Sequence, residues 1–231
     1  MPMQFSFIPK QRAVQICAVA AAALFSAATA FSHVFWIHPS AFRPKANDLI
    51  KYQLLVGDGG IIEAKPRDAS RIIKFASFDP TGKEHEVLGR DGHDPAGFDR
   101  LQTPGTHLVV YHSNNAFVSM TAEKFAKYLS DEGVENIIKA RETSKPEGTA
   151  PDAMVREAYS RCAKALICVD EKPTPNFNQV IGLPLEIIPV TDPYAAKVSD
   201  RLTFRVLLHG KPYNGATLFA ARPTGPALTQ R

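Results

Sequence analysis

Short segments rich in β-forming residues, each followed by a turn sequence, constrain the fold of this chain more than any other feature. Residues 49–56, 71–78 and 106–112 have this character. The first ends at Gly57-Asp58-Gly59-Gly60 and the second at Asp79-Pro80-Thr81-Gly82, which are both turn sequences. Strands that recur roughly every 10–15 residues between such turns are typical of sandwiches and barrels. We therefore predict a mainly β fold organised as a β-sandwich.

The middle of the chain interrupts this pattern with helical spacing. Apolar residues at positions such as Phe125 and Leu129 lie four apart within residues 121–133. Thr121 is a suitable N-cap, because its hydroxyl can accept a hydrogen bond from a backbone N–H of the first turn. This spacing predicts a helix.

The helical character continues further along the chain. Residues 134–143 are compatible with a second helix, and residues 152–165 with a third, before strand character returns. We therefore predict a helical insertion of about residues 121–165. It would interrupt a β-rich domain that spans residues 31–182.

The last part of the chain is again β-rich. Residues 185–190, 202–208 and 216–220 are strand-like, and this succession resembles the opening of an immunoglobulin-like module. A complete module of that kind has about seven strands. We therefore predict that residues 183–231 form an incomplete immunoglobulin-like module, and that the chain either is truncated or borrows cover from elsewhere.

The first thirty residues have the layout of a secretory signal peptide. Lys10 and Arg12 precede an Ala-rich apolar run, which ends at the small-residue sequence Ala28-Thr29-Ala30. The alternative is a membrane anchor, but the run of about 16 residues is shorter than the ~20 that a spanning helix needs. We predict cleavage after Ala30, with a cut after Ser32 as the alternative.

Cleavage would place the mature protein in the periplasm, with no stable membrane insertion. It would lower the net charge from +4 to +2. A charge this small, without a basic stripe, excludes a typical nucleic-acid-binding protein. Cys162 and Cys168 would remain in an oxidising compartment. Because a straight strand or helix holds them more than about 7 Å apart, a disulfide needs a bend between them; otherwise they are two buried thiols.

Histidines are the best candidates for chemistry. After cleavage at Ala30 the chain would begin Phe31-Ser32-His33, and the amine, two amides and third-position imidazole of such a sequence suit Cu(II) or Ni(II). The alternative is that His33 only begins the first strand. We predict His33, His38 and His112 as metal ligands, with His107 in reserve.

No nucleophile-elbow, phosphate-loop, dinucleotide or metalloprotease motif is present. We therefore predict that the protein is not an enzyme. The dense polar cluster Tyr159, Arg161 and Lys164 is compatible with an anion site or, more simply, with salt-bridged packing around the insertion.

A set of short segments follows in a fixed order along the chain. They are His33-Val34-Phe35-Trp36-Ile37-His38-Pro39-Ser40, Val56-Gly57-Asp58-Gly59, Asp94-Pro95-Ala96-Gly97, Lys124-Phe125, Tyr128-Leu129, Glu132-Gly133, Arg141, Tyr159-Ser160-Arg161-Cys162-Ala163-Lys164-Ala165-Leu166, Gly182-Leu183-Pro184-Leu185-Glu186-Ile187, Asp192-Pro193-Tyr194, Gly210-Lys211-Pro212 and Gly215-Ala216. Over residues 33–230 this set resembles a bacterial exported family of unknown function. The family is often described as the periplasmic component of cobalt/nickel ABC-type transport.

The resemblance implies an exported β-rich fold with a helical insertion and a link to metal uptake. The chain departs from the family at His33-Val34, where the family has His-Asp, so an acidic metal partner is missing there. It also ends at Thr229-Gln230-Arg231, where the family continues with a further turn and strands.

These observations lead to two expectations about function. The first is a periplasmic binding or accessory protein for a divalent metal, which acts by ligation and not by catalysis. Nickel and cobalt are the first candidates for this metal and copper is the next, and the partner would be an inner-membrane metal transporter. The alternative is an envelope structural or protein-interaction module that holds no metal.

Overall fold

The computed structural model describes residues 34–58, 61–131, 134–144, 150–220 and 228–230 of the chain. Within these residues antiparallel strands predominate and two α-helices occur, so the prediction of a mainly β fold is confirmed. The predicted signal peptide and its cleavage site lie outside the described residues. No helix in the described ranges is long and apolar enough to cross a membrane.

The elements follow one another in a simple order. The strands are β1 (Val34–Pro39), β2 (Leu49–Asp58), β3 (Ile61–Lys65), β4 (Ile72–Phe78), β5 (Glu84–Glu86), β6 (Gly97–Arg100), β7 (Gly105–Ser113), β8 (Ala116–Thr121), β9 (Met154–Tyr159), β10 (Cys162–Val169), β11 (Leu185–Pro189), β12 (Phe204–Leu208), β13 (Lys211–Pro212), β14 (Leu218–Ala220) and β15 (Leu228–Gln230). The α-helices are α1 (Ala122–Asp131) and α2 (Glu135–Ser144), and 3₁₀ turns occupy Ala69–Arg71 and Pro175–Asn178.

Two four-stranded antiparallel sheets form the sandwich. In the first sheet β2 is central and pairs with β1, β3 and β6. The second has the order β10-β7-β4-β5. Alternate residues of both sheets point into one shared core because successive side chains of a strand face opposite sides. The buried members of this core are Ile37, Ile50, Tyr52, Leu54, Phe75, Val87, Ala96, Leu101, Val109, Tyr111, Ala163, Ala165, Ile167 and Val169.

The outer face of the second sheet carries a smaller apolar cluster. Its buried members are Ala76, Phe78, Leu108, Val110 and Leu183. Since Leu183 comes from the segment before β11, this cluster links the sandwich to the C-terminal strands. There β11, β12 and β13 form a three-stranded sheet, and β14 pairs with β15.

The middle of the chain is only partly helical. α1 forms as predicted: Thr121 Oγ1 accepts a hydrogen bond from the N–H of Lys124 at 3.3 Å, and Phe125 and Leu129 are buried. The prediction that the helical insertion extends to residue 165 is wrong. β9 pairs along its whole length with β8, and β10 pairs with β7. Cross-strand pairing here outweighs the helix-forming composition of β9.

Cys162 and Cys168 lie on β10 as free thiols. Cys162 is half-buried and Cys168 is buried. They stand at the first and seventh positions of a continuous strand, about 20 Å apart at 3.3 Å per residue. No bend brings them within bonding distance.

Candidate functional site

Two of the predicted metal ligands, His38 and His112, lie in separate parts of the sandwich. His38 is near the end of β1, and its ring packs edge-on against Phe42 with centroids 6.0 Å apart. The carbonyl of Phe42 accepts the N–H of Cys168 at 3.0 Å. His112, by contrast, lies directly across from Cys162 in the pairing of β7 with β10. His38 and His112 are therefore near opposite ends of β10, and His33 lies outside the described residues.

The reserve ligand His107 is a core residue. It is 3% exposed, and its Nε2 donates to the Thr103 carbonyl at 2.7 Å. Burial lowers the pKa of His107, so the imidazole is neutral at neutral pH. Among the described residues no group of three histidine, cysteine, aspartate or glutamate side chains is placed to hold a metal ion.

One imidazole–thiol pair is nevertheless formed. Residues directly opposite on antiparallel strands point to the same face of the sheet, so the side chains of His112 and Cys162 are neighbours. Both are half-buried. Burial lowers the pKa of His112, which keeps the ring nitrogen available as a ligand at neutral pH. Sequence reasoning missed Cys162 here because the pairing joins residues fifty positions apart.

One concave feature of the described residues is an apolar groove that is lined by parts of the sandwich and of the C-terminal sheet. Its cavity volume is about 310 Å³. It is lined by β1, β10, β11, β12 and the segments beside them, through Phe35, Trp36, Cys162, Ala163, Lys164, Leu166, Leu183, Leu185, Glu186, Ile187, Pro189, Pro193 and Phe204. We call this feature the groove.

Strand alternation in the C-terminal sheet explains why the groove is apolar. Glu186 and Ile188 of β11 turn toward the sandwich and are 2% and 1% exposed. The residues between and beside them face the other way: Leu185 is 48% exposed and Ile187 is 46% exposed. Phe204, opposite Pro189 on β12, is 41% exposed. One face of this small sheet is therefore packed against the sandwich, and Leu185, Ile187 and Phe204 on the other face are half-exposed members of the groove lining.

A buried ion pair forms the floor of the groove. Lys164 of β10 donates to Glu186 of β11, and the two side chains are 9% and 1% exposed. Glu186 also accepts the N–H groups of Ile181 and Gly182, each at 2.9 Å, and that of Leu183 at 3.3 Å. Lys164 thus serves the salt-bridged packing that we predicted as the simpler alternative to an anion site.

Arg161, the other basic residue of this predicted cluster, packs against aromatic rings where Lys164 pairs with a carboxylate. Its guanidinium lies 5.0 Å from the ring centroid of Phe35 and 5.5 Å from that of Tyr159. Its backbone N–H donates to Ser113 Oγ at 2.9 Å. Within the part of the chain that the structure describes, no carboxylate forms an ion pair with Arg161.

A polar cluster that sequence reasoning missed lies inside the sandwich. Ser77 of β4 donates to Asp99 of β6 at 2.5 Å. Burial, together with the charge of Asp99, raises the pKa of Tyr52 well above its ordinary value. Ser77 is only 1% exposed, so a substrate has no access to its hydroxyl. We therefore assign this cluster to the interior, where it joins the two sheets.

Comparison with known proteins gives one match. A family model described as Domain of unknown function (DUF4198) matches residues 30–227. No curated protein matches the chain, and no solved structure does.

Proposed function

The chain belongs to the DUF4198 domain family, and we propose that it is an exported binding protein whose ligand lies in the groove. The observation that carries this proposal is the set of half-exposed apolar side chains around one cavity. Ligand sites are typically concave, mostly apolar and at least 300 Å³ in volume, and the groove has these properties. The proposal favours a role as an interaction module in the envelope, with ligand binding in place of catalysis.

The lone tryptophan of the chain provides a direct test. Trp36 lines the groove, so its fluorescence reports occupancy. We expect titration with Nile red, an uncharged apolar dye, to quench Trp36 emission saturably. Leu185→Ser should weaken binding about fivefold, since a half-exposed leucine that becomes covered contributes about 1 kcal/mol.

The matched control is Leu88→Ser. Leu88 is 61% exposed and lies outside the groove, so this variant should bind the dye as the wild type does. Absence of saturable quenching, or an equal effect of the two substitutions, would contradict a ligand site in the groove.

A second candidate function is association with divalent-metal uptake, with nickel, cobalt or copper as cargo passed to an inner-membrane transporter. Its supports are the family resemblance and the His112–Cys162 pair. A neutral imidazole and a thiolate are ligands that suit these metals. The described residues supply two neighbouring ligands, so any further ligand would come from outside them.

Metal analysis tests this second function. We expect protein purified without a His tag to contain one equivalent of metal, and added nickel or copper to raise its melting temperature, because a ligand of the native state stabilises it. Joint replacement of His112 by Ala and Cys162 by Ser should remove the metal, whereas His93→Ala at an exposed site should not.

Two other outcomes are decisive. Metal loss only on joint substitution of His33 and His38 would retain the function and move its site to the N-terminal segment. A metal-free protein with an unchanged melting temperature would contradict the function.

A further inference from the structure

The strand β10 has one paired side and one open side. It pairs with β7 and is the last strand of that sheet among the described residues. In an antiparallel pair the hydrogen bonds between the strands join every second residue, and the residues between them point their backbone groups away from the partner strand. Ser113 of β7 donates its N–H to the carbonyl of Arg161, just before β10, at 3.0 Å. The odd-numbered residues of β10 therefore face β7, and the even-numbered ones face the open edge.

One end of this edge is covered by other parts of the chain. The N–H of Cys168 donates to the Phe42 carbonyl at 3.0 Å. The carbonyl of Leu166 accepts a hydrogen bond from the hydroxyl of Tyr194 at 2.6 Å. Both β10 residues are even-numbered, as the alternation requires, and their contacts occupy backbone groups that point away from β7.

The other end of the edge carries free backbone groups. Within the described ranges, the N–H and C=O groups of Cys162 and Lys164 and the N–H of Leu166 have no hydrogen-bond partner. They extend over about 13 Å at 3.3 Å per residue. Proteins usually cover or blunt such an edge, because it is a template for pairing with another chain. The free part of β10 can therefore accept one more strand over four or five residues.

The groove runs along this free edge. Its lining includes Cys162, Lys164 and Leu166, together with residues of β1 and β11 such as Trp36. The charged side chains of the lining, Lys164 and Glu186, neutralise each other, so they favour an uncharged ligand. A groove that three strands line receives a narrow ligand, such as one extended chain, more readily than the broad edge of a second folded sheet.

We infer that the groove binds an extended peptide segment with apolar side chains at alternate positions, which adds a strand to β10 along residues 162–166. Backbone hydrogen bonds supply the affinity, and the apolar lining selects the side chains, as in other cases of strand addition. This inference rests on the groove function proposed above and names the class of its ligand.

A peptide and its N-methylated forms test the strand pairing on the wild-type protein. The probe is acetyl-Lys-Val-Thr-Val-Thr-Val-Lys-amide, whose terminal lysines keep it soluble. It lacks tryptophan, so Trp36 fluorescence and calorimetry report its binding. N-methylation removes an amide donor, and only every second residue of the peptide faces β10. Methylation of two amides in one set, the valines or the threonines, should weaken binding at least tenfold, and methylation in the other set should leave it within twofold.

Cys162→Pro tests the edge from the side of the protein. Proline lacks the N–H that pairs with the peptide, and it is tolerated at the first residue of a strand, which is the position of Cys162. The β7 pairing stays intact because this N–H faces the open edge. We expect about tenfold weaker peptide binding. The matched control Cys162→Ala keeps the N–H and should bind the peptide within twofold of the wild type.

Each remaining outcome is decisive. Equal binding of the two methylated sets, or equal binding by Cys162→Pro and Cys162→Ala, would overturn the strand addition. Saturable Nile red binding without peptide binding would overturn it and leave the groove function intact, whereas no binding of either would contradict both. A wild-type dimer that Cys162→Pro converts to monomers would show that a second copy occupies the edge, and would overturn the peptide as its occupant. If Cys162→Pro does not fold, the methylated peptides decide.

Discussion

Replacement of Glu186 by alanine is expected to destabilise the protein by about 3–5 kcal/mol, the usual cost of breaking a buried ion pair. Glu186 is 2% exposed, so its removal leaves Lys164 charged in an apolar setting. The N–H groups of Ile181, Gly182 and Leu183 would lose their acceptor as well. Since an unpaired buried donor costs about 1–3 kcal/mol, the loop before β11 should loosen. Urea denaturation of the variant and the wild type measures the difference.

Two controls isolate the buried pair. Lys164→Met combined with Glu186→Leu removes both charges together, so it should cost less than Glu186→Ala alone. Glu84→Ala breaks an ion pair at the surface, in which the side chain of Glu84 is 47% exposed and that of Lys74 is 33% exposed. Such surface pairs contribute about 0–1 kcal/mol. Equal losses in Glu186→Ala and Glu84→Ala would contradict the buried position of Glu186.

The same carboxylate predicts a pH dependence. Burial opposes the ionisation of Glu186, but the hydrogen bonds from Lys164 and from the backbone outweigh it, so the pKa of Glu186 lies below its ordinary value of 4.5. A carboxyl whose pKa falls on folding stabilises the native state above the unfolded pKa and loses that contribution as the pH falls through the folded one. The stability difference between wild type and Glu186→Gln should therefore be constant above about pH 5 and shrink below pH 4.5.

Strands with strong β-forming composition could be predicted from the sequence. The segment at residues 106–112 is β7, and the segment at 71–78 is β4, each within one residue at either end. β9 could not be predicted, because Met, Arg, Glu and Ala favour helices in isolation. Its pairing with β8, across an intervening helical segment, decides its conformation. β6 was missed because Gly97-Phe98-Asp99-Arg100 is short and polar, and only its partner β2 makes it a strand.

The candidate site shows a similar limit. The aromatic residues at the start of β1 and the polar cluster around Arg161 can both be recognised in the sequence. Nothing in either segment, however, indicates that Phe35 and Arg161 are in contact. Their contact depends on the approach of β1 to β10, which are more than a hundred residues apart. Leu185 and Ile187 have the composition of an ordinary strand, and only the folded structure shows that they are half-exposed and line the groove. The prediction of His38 and His112 as metal ligands relied on residue type, since spacing along the chain does not report distances between strands.

Replacement of Phe75 by alanine is expected to destabilise the protein by about 3–5 kcal/mol, the cost of removing a buried phenylalanine ring and leaving a cavity. Phe75 is 4% exposed at the centre of the sandwich. Its ring lies edge-on to Tyr111 with centroids 5.5 Å apart, and it tilts against Tyr52 from the opposite sheet at 6.2 Å. The structure can relax only partly around the lost ring because both neighbours belong to paired strands. Urea denaturation and thermal melting measure the loss.

The matched control is Phe117→Ala, at a phenylalanine that is 57% exposed, which should cost no more than about 1 kcal/mol.

The effect of Phe75→Ala should also extend to the groove. Tyr111 contacts Phe35 with centroids 5.1 Å apart, so loss of Phe75 removes the support behind a groove-lining ring. We therefore expect weaker Nile red binding by folded Phe75→Ala protein, and unchanged binding by Phe117→Ala. Similar stabilities of the two variants would contradict the central position of Phe75. A destabilised Phe75→Ala variant with full dye affinity would show that the groove keeps its shape independently of the core.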